Sequence, residues 1–230
     1  MKRIASFVLA LLVAIPVLAN EGEDPTMSVY SSSDGIVSVD ILSHFGWGYH
    51  LVSAENFSAN SSGEVFFNIG KLKIDPFEGV GLEAGLDCKW TYFGSGSYLF
   101  YQDNHLVNVT SFSDAFLNER WDKSYSSVNI FSLSVPALLK FNIGPVQLGG
   151  GAEANLNLSG ETYYRLRSEN IRTEVTESKA KLNTFTYDFI GTIGFDNTLL
   201  YVKFYPKGSS MIAGDGVPFN YWTIGFAFTM

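Results

Sequence analysis

Apolar and polar residues alternate with a period of two along most of the chain. Because successive side chains of a β-strand lie on opposite faces, this pattern predicts strands with one apolar face and one polar or small face. Eight such segments follow one another: Val37–Leu51, Glu64–Ile74, Val80–Tyr92, Phe131–Phe141, Val146–Leu158, Thr184–Phe195, Leu200–Tyr205 and Trp222–Met230. The sequence therefore predicts an all-β fold of eight antiparallel strands.

Two of these segments interrupt the alternation. The apolar parity changes between Phe67 and Leu72, so a β-bulge near Gly70 is predicted to keep one face apolar. Pro136 lies in the middle of the fourth segment and has no N–H to donate to a neighbouring strand. We expect a second bulge there.

The connections alternate in length. Short segments with turn residues are Asp75–Glu78, Asn142–Pro145 and Asp196–Thr198, and longer polar segments are Ser53–Gly63, Gly94–Ser127, Gly160–Lys181 and Pro206–Phe219. This order is typical of an up-and-down transmembrane β-barrel with short periplasmic turns and long extracellular loops.

Ionisable residues collect on the polar face of the predicted strands: Asp40, Glu83, Asp87, Lys89, Lys140, Glu153, Asp188 and Lys203. The interior of an eight-stranded barrel is narrow, and a charge enclosed there is unfavourable unless it is paired. We therefore predict an interior charge network, with Glu83–Lys140 and Asp188–Lys203 as its first ion pairs because their strands are neighbours. A gate for small ions is the alternative role of this network.

Aromatic residues concentrate at the long-loop end of the predicted strands. They are Trp47, Tyr49, Trp90, Tyr92, Tyr187, Tyr205, Tyr221 and Trp222. Since tryptophan and tyrosine prefer the membrane–water interface, these residues predict an aromatic girdle.

The first residues have the features of a secretory signal peptide. Lys2 and Arg3 precede an apolar run that ends in small residues before Asn20. We predict a signal peptide over residues 1–19, a flexible periplasmic lead-in over 20–35 and the barrel over 36–230. After residue 19 no apolar run approaches the ~18 residues of a transmembrane helix, so a membrane role requires strands.

Charge and cysteine content exclude several classes of function. The chain has 23 acidic and 15 basic residues, which argues against nucleic acid as a partner. Its single cysteine, Cys88, excludes an internal disulfide framework and is predicted to be a packed small residue. Three scattered histidines give no metal-ligand spacing, so we predict no metal and no cofactor.

The last strand carries a further motif. Thr223, Gly225, Phe228 and Met230 have the spacing of the C-terminal insertion signal of bacterial outer-membrane barrels, with Met230 where phenylalanine is usual. Residues 36 to 230 thus resemble the small eight-stranded porin-like barrels of the OmpA transmembrane-domain and PorT-like type. The resemblance implies a bacterial outer-membrane location, contact with outer-membrane lipid and lipopolysaccharide, and insertion by the barrel-assembly machinery.

Catalysis is weakly supported. Ser38, Asp40 and His44 share one face of the first strand, and these residue types serve in acyl transfer. Residues four apart on a strand are separated by ~13 Å through the rise alone, so Asp40 is too far from His44 to orient it. We predict no catalytic residue, and a lipid A acyl-modifying enzyme and a soluble secreted ligand-binding barrel stay as alternatives.

The segment from Tyr98 to Val109 has two alternating arms around Asp103 and Asn104, which predicts a hairpin above the membrane. Its unpaired edges would allow another protein to bind by strand addition. The sequence favours an integral outer-membrane barrel with a structural or surface-interaction role, or a minor pore.

Overall fold

The computed structural model describes residues 28–31, 37–53, 59–95, 98–102, 105–109, 123–167, 172–177, 180–195, 197–206, 208–213 and 220–229. The predicted signal peptide lies outside the described residues. Among the residues that are described, no helix has the length and apolar character needed to cross a membrane.

Every regular element in the described ranges is a β-strand. The strands are β1 (Ser28–Ser31), β2 (Val37–Ile41), β3 (His44–Ser53), β4 (Ala59–Phe77), β5 (Val80–Ser95), β6 (Tyr98–Gln102), β7 (His105–Val109), β8 (Lys123–Ile143), β9 (Val146–Arg167), β10 (Arg172–Glu177), β11 (Phe185–Phe195), β12 (Thr198–Tyr205) and β13 (Asn220–Thr229).

The strands close into an antiparallel barrel of eight. β2 and β3 together form the first barrel strand, since both pair with β4 and are separated only by Leu42, at a φ of 53°, and Ser43. The remaining barrel strands are β4, β5, β8, β9, β11, β12 and β13, each hydrogen-bonded to the next. The barrel closes where β13 pairs with β3, from Asn220 opposite Ser53 to Thr229 opposite His44. The predicted fold class is confirmed.

The stagger of the strands sets the width of the barrel. A path across paired residues, perpendicular to the strands, leaves β5 at Val80 and returns to β5 at Trp90, ten residues further on. This offset of ten residues is the shear of the barrel. Eight strands with a shear of ten form a barrel narrow enough for side chains to fill. The interior is therefore a packed region whose composition decides what can pass.

The two faces of the barrel wall differ in polarity. In β11 the exposed and buried positions alternate strictly, with Phe189 at 51% and Ile193 at 55% exposure and Asp188 at 0%. Large apolar side chains on the other barrel strands are exposed in the same way, for example Trp47 and Trp222. Because a soluble barrel encloses its apolar side chains, this inversion excludes the soluble ligand-binding alternative.

Several predicted boundaries are wrong because the strands are longer than their alternating patterns. β8 has 21 residues and β9 has 22, so both continue into segments that the sequence assigns to loops. The loop predicted over Ser53–Gly63 is shortened in the same way, since β4 begins at Ala59. The lead-in predicted as flexible contains β1, which pairs with β2.

The short connections agree with their turn residues. β4 and β5 are joined through Glu78 and Gly79, and β8 and β9 through Gly144 and Pro145. Gly79 has a φ of +78° and Gly144 a φ of +59°, conformations that favour glycine.

One predicted bulge is present and the other is not. The register of β4 against β5 shifts between Asn68 and Gly70, which confirms the bulge near Gly70. The predicted bulge at Pro136 is wrong, because the register with β9 stays constant there and shifts instead between Phe131 and Ser132. Pairing with β5 lapses beside Pro136, so its missing N–H interrupts the ladder without inserting a residue.

A testable consequence concerns Gly225 of β13. A Cβ at this position would lie 2.4 Å from the Trp47 carbonyl oxygen and 2.4 Å from Cζ of the buried Tyr201 ring. We expect Gly225→Ala to destabilise the folded barrel by about 1–3 kcal/mol, measured by urea titration of the heat-modifiable gel band. Gly150→Ala is the matched control, because its Cβ would meet no atom within 4 Å. Equal stability of the two variants would contradict this account.

Candidate functional site

The barrel interior contains layers of ion pairs and of apolar side chains. We call the pairs nearer the long loops the upper cluster: Glu64, Lys89, Glu153, Asp188 and Lys203. The pairs nearer the short turns form the lower cluster: Asp40, Lys71, Lys73, Glu83 and Lys140. Each position follows from its strand parity, since these residues alternate with lipid-facing ones.

The upper cluster is enclosed and densely bonded. Lys203 Nζ lies 2.9 Å from Glu64 Oε1 and 3.0 Å from Glu153 Oε2. Lys89 Nζ bonds Glu153 Oε1 and lies 3.8 Å from Asp188 Oδ2. No member of the cluster is more than 2% exposed. Such a buried network stabilises a barrel only while its partners are complete, because a lone charge remains desolvated.

The lower cluster faces the short-turn end of the barrel. Glu83 bonds both Lys71, at 3.0 Å, and Lys140. Asp40 lies 3.0 Å from Lys73, and both are partly exposed. Lys140 also donates to Gln147 Oε1 at 2.8 Å. This end of the interior is therefore polar and reachable from water.

Two apolar layers enclose the upper cluster, one between it and the long-loop mouth and one between it and the lower cluster. The apolar cap above the upper cluster consists of Phe93, Val128, Ile130, Tyr205, Met211, Ile212 and Tyr221. The inner apolar layer between the clusters consists of Phe66, Ile190, Tyr201 and Ala227, with Leu138 and Leu199 beside them. Neither layer was expected from the sequence, which predicts a uniformly polar interior.

The cap is completed by the connection between β12 and β13. Ser209 Oγ accepts from Tyr187 N–H at 2.6 Å and donates to the Tyr187 carbonyl oxygen. Ile212 forms a β-bridge with Leu182, and Ala213 N–H donates to the Lys181 carbonyl oxygen. These bonds hold Met211 and Ile212 across the long-loop mouth of the barrel.

The structure brings all eight residues of the predicted interior charge network inside the barrel or to its mouth. Glu83 and Lys140 form the pair that the sequence suggested. The predicted Asp188–Lys203 pair is wrong: Lys203 pairs with Glu64 and Glu153, while Lys89 is the lysine near Asp188. Strand adjacency alone did not reveal this, because Lys203 reaches carboxylates of non-adjacent strands across the narrow interior.

Glu64 and Lys71 are interior residues that the sequence analysis missed. Glu64 is 1% and Lys71 6% exposed. Their places in the alternating pattern could have identified them as interior residues. Glu64 precedes the apolar Val65 and, beyond the bulge, Lys71 precedes the apolar Leu72.

The predicted aromatic girdle needs a correction. Trp47, Tyr49, Trp90, Tyr187 and Trp222 are exposed on the outer face, and Tyr92 is half-buried. Tyr205 and Tyr221 are each 0% exposed and belong to the interior cap, where their rings stack with centroids 4.0 Å apart. They share the parity of Lys203 and Thr223, which places them inside regardless of their aromatic character.

The residues considered for acyl transfer do not assemble a catalytic group. Asp40 pairs with lysines, and His44 Nδ1 lies 2.8 Å from Ser43 Oγ rather than near Ser38 or Asp40. Ser43 and His44 both point inward although they are consecutive residues, because the chain bends at Leu42. Ser43 donates to Asn68, so its hydroxyl proton is already engaged.

Other predicted residues take distinct positions. Thr223 is buried inside, Phe228 is exposed outside, and Met230 lies outside the described residues. Cys88 is 1% exposed and reduced. Within the described ranges, no group of three or more His, Cys, Asp or Glu residues is placed to hold a metal ion.

The outward apolar surface and the enclosed charges identify the wall as membrane-facing. The fold is that of a small transmembrane β-barrel.

No protein-family model matches the chain, and no curated protein matches it in sequence. Among solved structures, the chain is similar to Ail, the attachment invasion locus protein of Yersinia pestis, in complex with the heparin analogue sucrose octasulfate. The two are 14% identical over 84% of this chain and 97% of that chain, with a TM-score of 0.37. The fold assignment rests on the strand pairing and outer surface described above.

The upper cluster gives a prediction about stability. Glu153→Gln keeps the side-chain shape but removes the carboxylate that Lys89 and Lys203 share. We expect a loss of about 3 kcal/mol in urea unfolding from lipid vesicles, because two buried lysines lose a counter-charge.

Lys73→Ala is the control for this prediction, since it breaks the partly exposed pair with Asp40. It should cost less than about 1 kcal/mol. A Glu153→Gln variant as stable as Lys73→Ala would show that the buried network contributes nothing particular.

Proposed function

We propose that this protein is a non-conducting outer-membrane barrel that acts at the cell surface as an interaction protein. The observation that carries this proposal is that β8, β9 and β10 form a three-stranded unit that continues past the end of β11. The β8–β9 pairing continues to Lys123 opposite Arg167, whereas the pairing of β9 with β11 ends at Leu156. β9 thus extends about 37 Å further along its own direction, at ~3.4 Å per residue.

The extension ends in an available strand edge. β10 pairs with β9 from Arg172 opposite Arg167 to Glu177 opposite Thr162, and with no other strand in the described part of the chain. An unpaired edge offers backbone N–H and C=O groups to an extended segment of another protein. The β6–β7 hairpin, which the sequence predicts, is a second paired unit at the same end. Both support a protein partner that binds through backbone pairing.

The composition of the interior argues against conduction of ions through the barrel. Ion pairs and two apolar layers occupy the section between the barrel mouths. Passage of an ion through such an interior would require dehydration at the apolar cap and separation of buried pairs.

The pore alternative has a direct measurement. In planar lipid bilayers we expect no stepwise conductance from the purified barrel, because the apolar cap closes the long-loop mouth. Met211→Ser together with Ile212→Ser makes the cap polar and tests whether the cap is the barrier. Stable conductance steps from the unaltered protein would contradict the non-conducting role.

The surface role is tested by removing the extension. In a trimmed variant, residues 163–178 are replaced by Asn-Gly, which deletes β10 and the end of β9. Cells that produce the full chain should adhere to at least one member of a panel of immobilised extracellular proteins at several times the level of cells with the trimmed variant. Heat-modifiable migration of both proteins controls for folding.

Equal adhesion of full, trimmed and empty cells across the panel, with both barrels folded, would refute the surface-interaction role.

A further inference from the structure

An internal cavity of about 50 Å³ lies between the two charge clusters. Glu153 and Lys203 of the upper cluster border it on one side, and Lys71, Glu83 and Lys140 of the lower cluster on the other. Side chains of the inner apolar layer form much of its wall. A water molecule needs roughly 10–15 Å³ of such space, so the cavity has room for a small hydrated species.

Asp87 borders this cavity and has no ammonium partner. It is 5% exposed, and within the described residues its one hydrogen bond comes from Asn68 Nδ2 at 2.6 Å. None of the ion pairs in the described part of the chain includes Asp87. A buried carboxylate without a compensating charge is strongly unfavourable.

The neighbouring lysines are already engaged. Lys89 and Lys203 together serve Glu64, Glu153 and Asp188, so three carboxyls share two ammonium groups before Asp87 is counted. Across the cavity, Lys71 and Lys140 both bond Glu83. Counted together, the two clusters and Asp87 hold six carboxyls and five ammonium groups, so this part of the described interior lacks one positive charge.

A second group also faces this space without a partner. The hydroxyl oxygen of Thr192, which lines the cavity, is buried and makes no hydrogen bond in the described residues. Thr192 is 4% exposed. Buried polar atoms are nearly always satisfied, so an unpartnered hydroxyl and an uncompensated carboxylate that line the same cavity indicate a bound species.

We propose that this cavity binds one small monovalent cation of about the size of Na⁺. The Asp87 carboxylate supplies the charge, and the Thr192 hydroxyl and water supply further oxygen ligands. Divalent cations usually take several carboxylates, and the other two that border the cavity, Glu83 and Glu153, are each bonded to two lysines. The site is independent of the proposed surface role.

The cation reaches the site from the periplasm. A vestibule of about 240 Å³ at the short-turn end is lined by Asn142, Gln147 and Thr198, among others. His44 and Leu199 border both the vestibule and the inner cavity, so the two spaces adjoin. The apolar cap closes the opposite side.

The experiment measures thermal unfolding of the full barrel in detergent against cation type. NaCl or KCl replaces N-methylglucamine chloride at constant ionic strength, and ²³Na NMR line broadening reports binding directly. We expect a saturable rise in Tm of about 5 °C for the unaltered protein, since a ligand that binds only the folded state stabilises it.

The variants locate the site. Asp87→Asn should abolish the dependence of Tm on cation and the excess ²³Na line width. Asp188→Asn, which removes another buried carboxyl that does not border the cavity, should retain both. Thr192→Val should raise the half-saturating cation concentration several-fold, and it provides a test should Asp87→Asn not fold.

Three outcomes overturn the proposal. One is an Asp87→Asn variant with unaltered cation dependence, and another is a Thr192→Val variant with unaltered affinity. The third is an unaltered protein whose Tm and ²³Na line width are indifferent to cation. In that case, an infrared carboxylic acid band that disappears in Asp87→Asn would show that a proton holds the place assigned to the cation.

Discussion

The structure depends on keeping carboxylates and ammonium groups together inside a narrow barrel wall. A hydrocarbon environment offers no solvation to charge, so every ionised side chain on these strands must face inward and meet a counter-charge there. Glu153 illustrates this constraint, since its two oxygens receive Lys89 and Lys203 from strands on different sides of the barrel. The outward face is then left with apolar residues, and lipid becomes their solvent.

The width of the barrel links this electrostatic requirement to function. A shear of ten residues over eight strands brings opposite walls within reach of a lysine side chain. Apolar side chains fill the narrow interior on both sides of the upper cluster. Tyr205 and Met211 belong to the layer nearer the long loops, the apolar cap. A barrel packed in this way keeps apart the solutions at its two ends. We therefore expect its specific contacts with other molecules to involve the parts outside the membrane.

The part of β9 that continues past β11 pairs differently from the part within the closed barrel. Beyond Leu156 the pairing of β9 with β11 ends, and backbone pairing with β10 continues the sheet from Thr162 to Arg167. An edge in water is satisfied by solvent and stays open to another strand, whereas an edge inside the membrane would leave polar backbone groups unpaired. Within the described residues, barrel closure by β13 and β3 therefore pairs the edges of the wall, whereas β10 pairs on one side only.

The sequence by itself determined the eight barrel strands, their antiparallel order and the polarity of each face, because a period of two maps directly onto the two sides of a sheet. It also placed the bulge near Gly70, where the apolar parity changes. Parity indicated that Lys203 is enclosed, but the choice of Glu64 and Glu153 as its partners required the barrel to be closed. The positions of Tyr205 and Met211 in the cap, the length of β9 and the cavity beside Asp87 were decided only in three dimensions. Each of these features depends on contacts across the interior or on pairing between strands. The alternation of residues along a single strand does not specify such contacts.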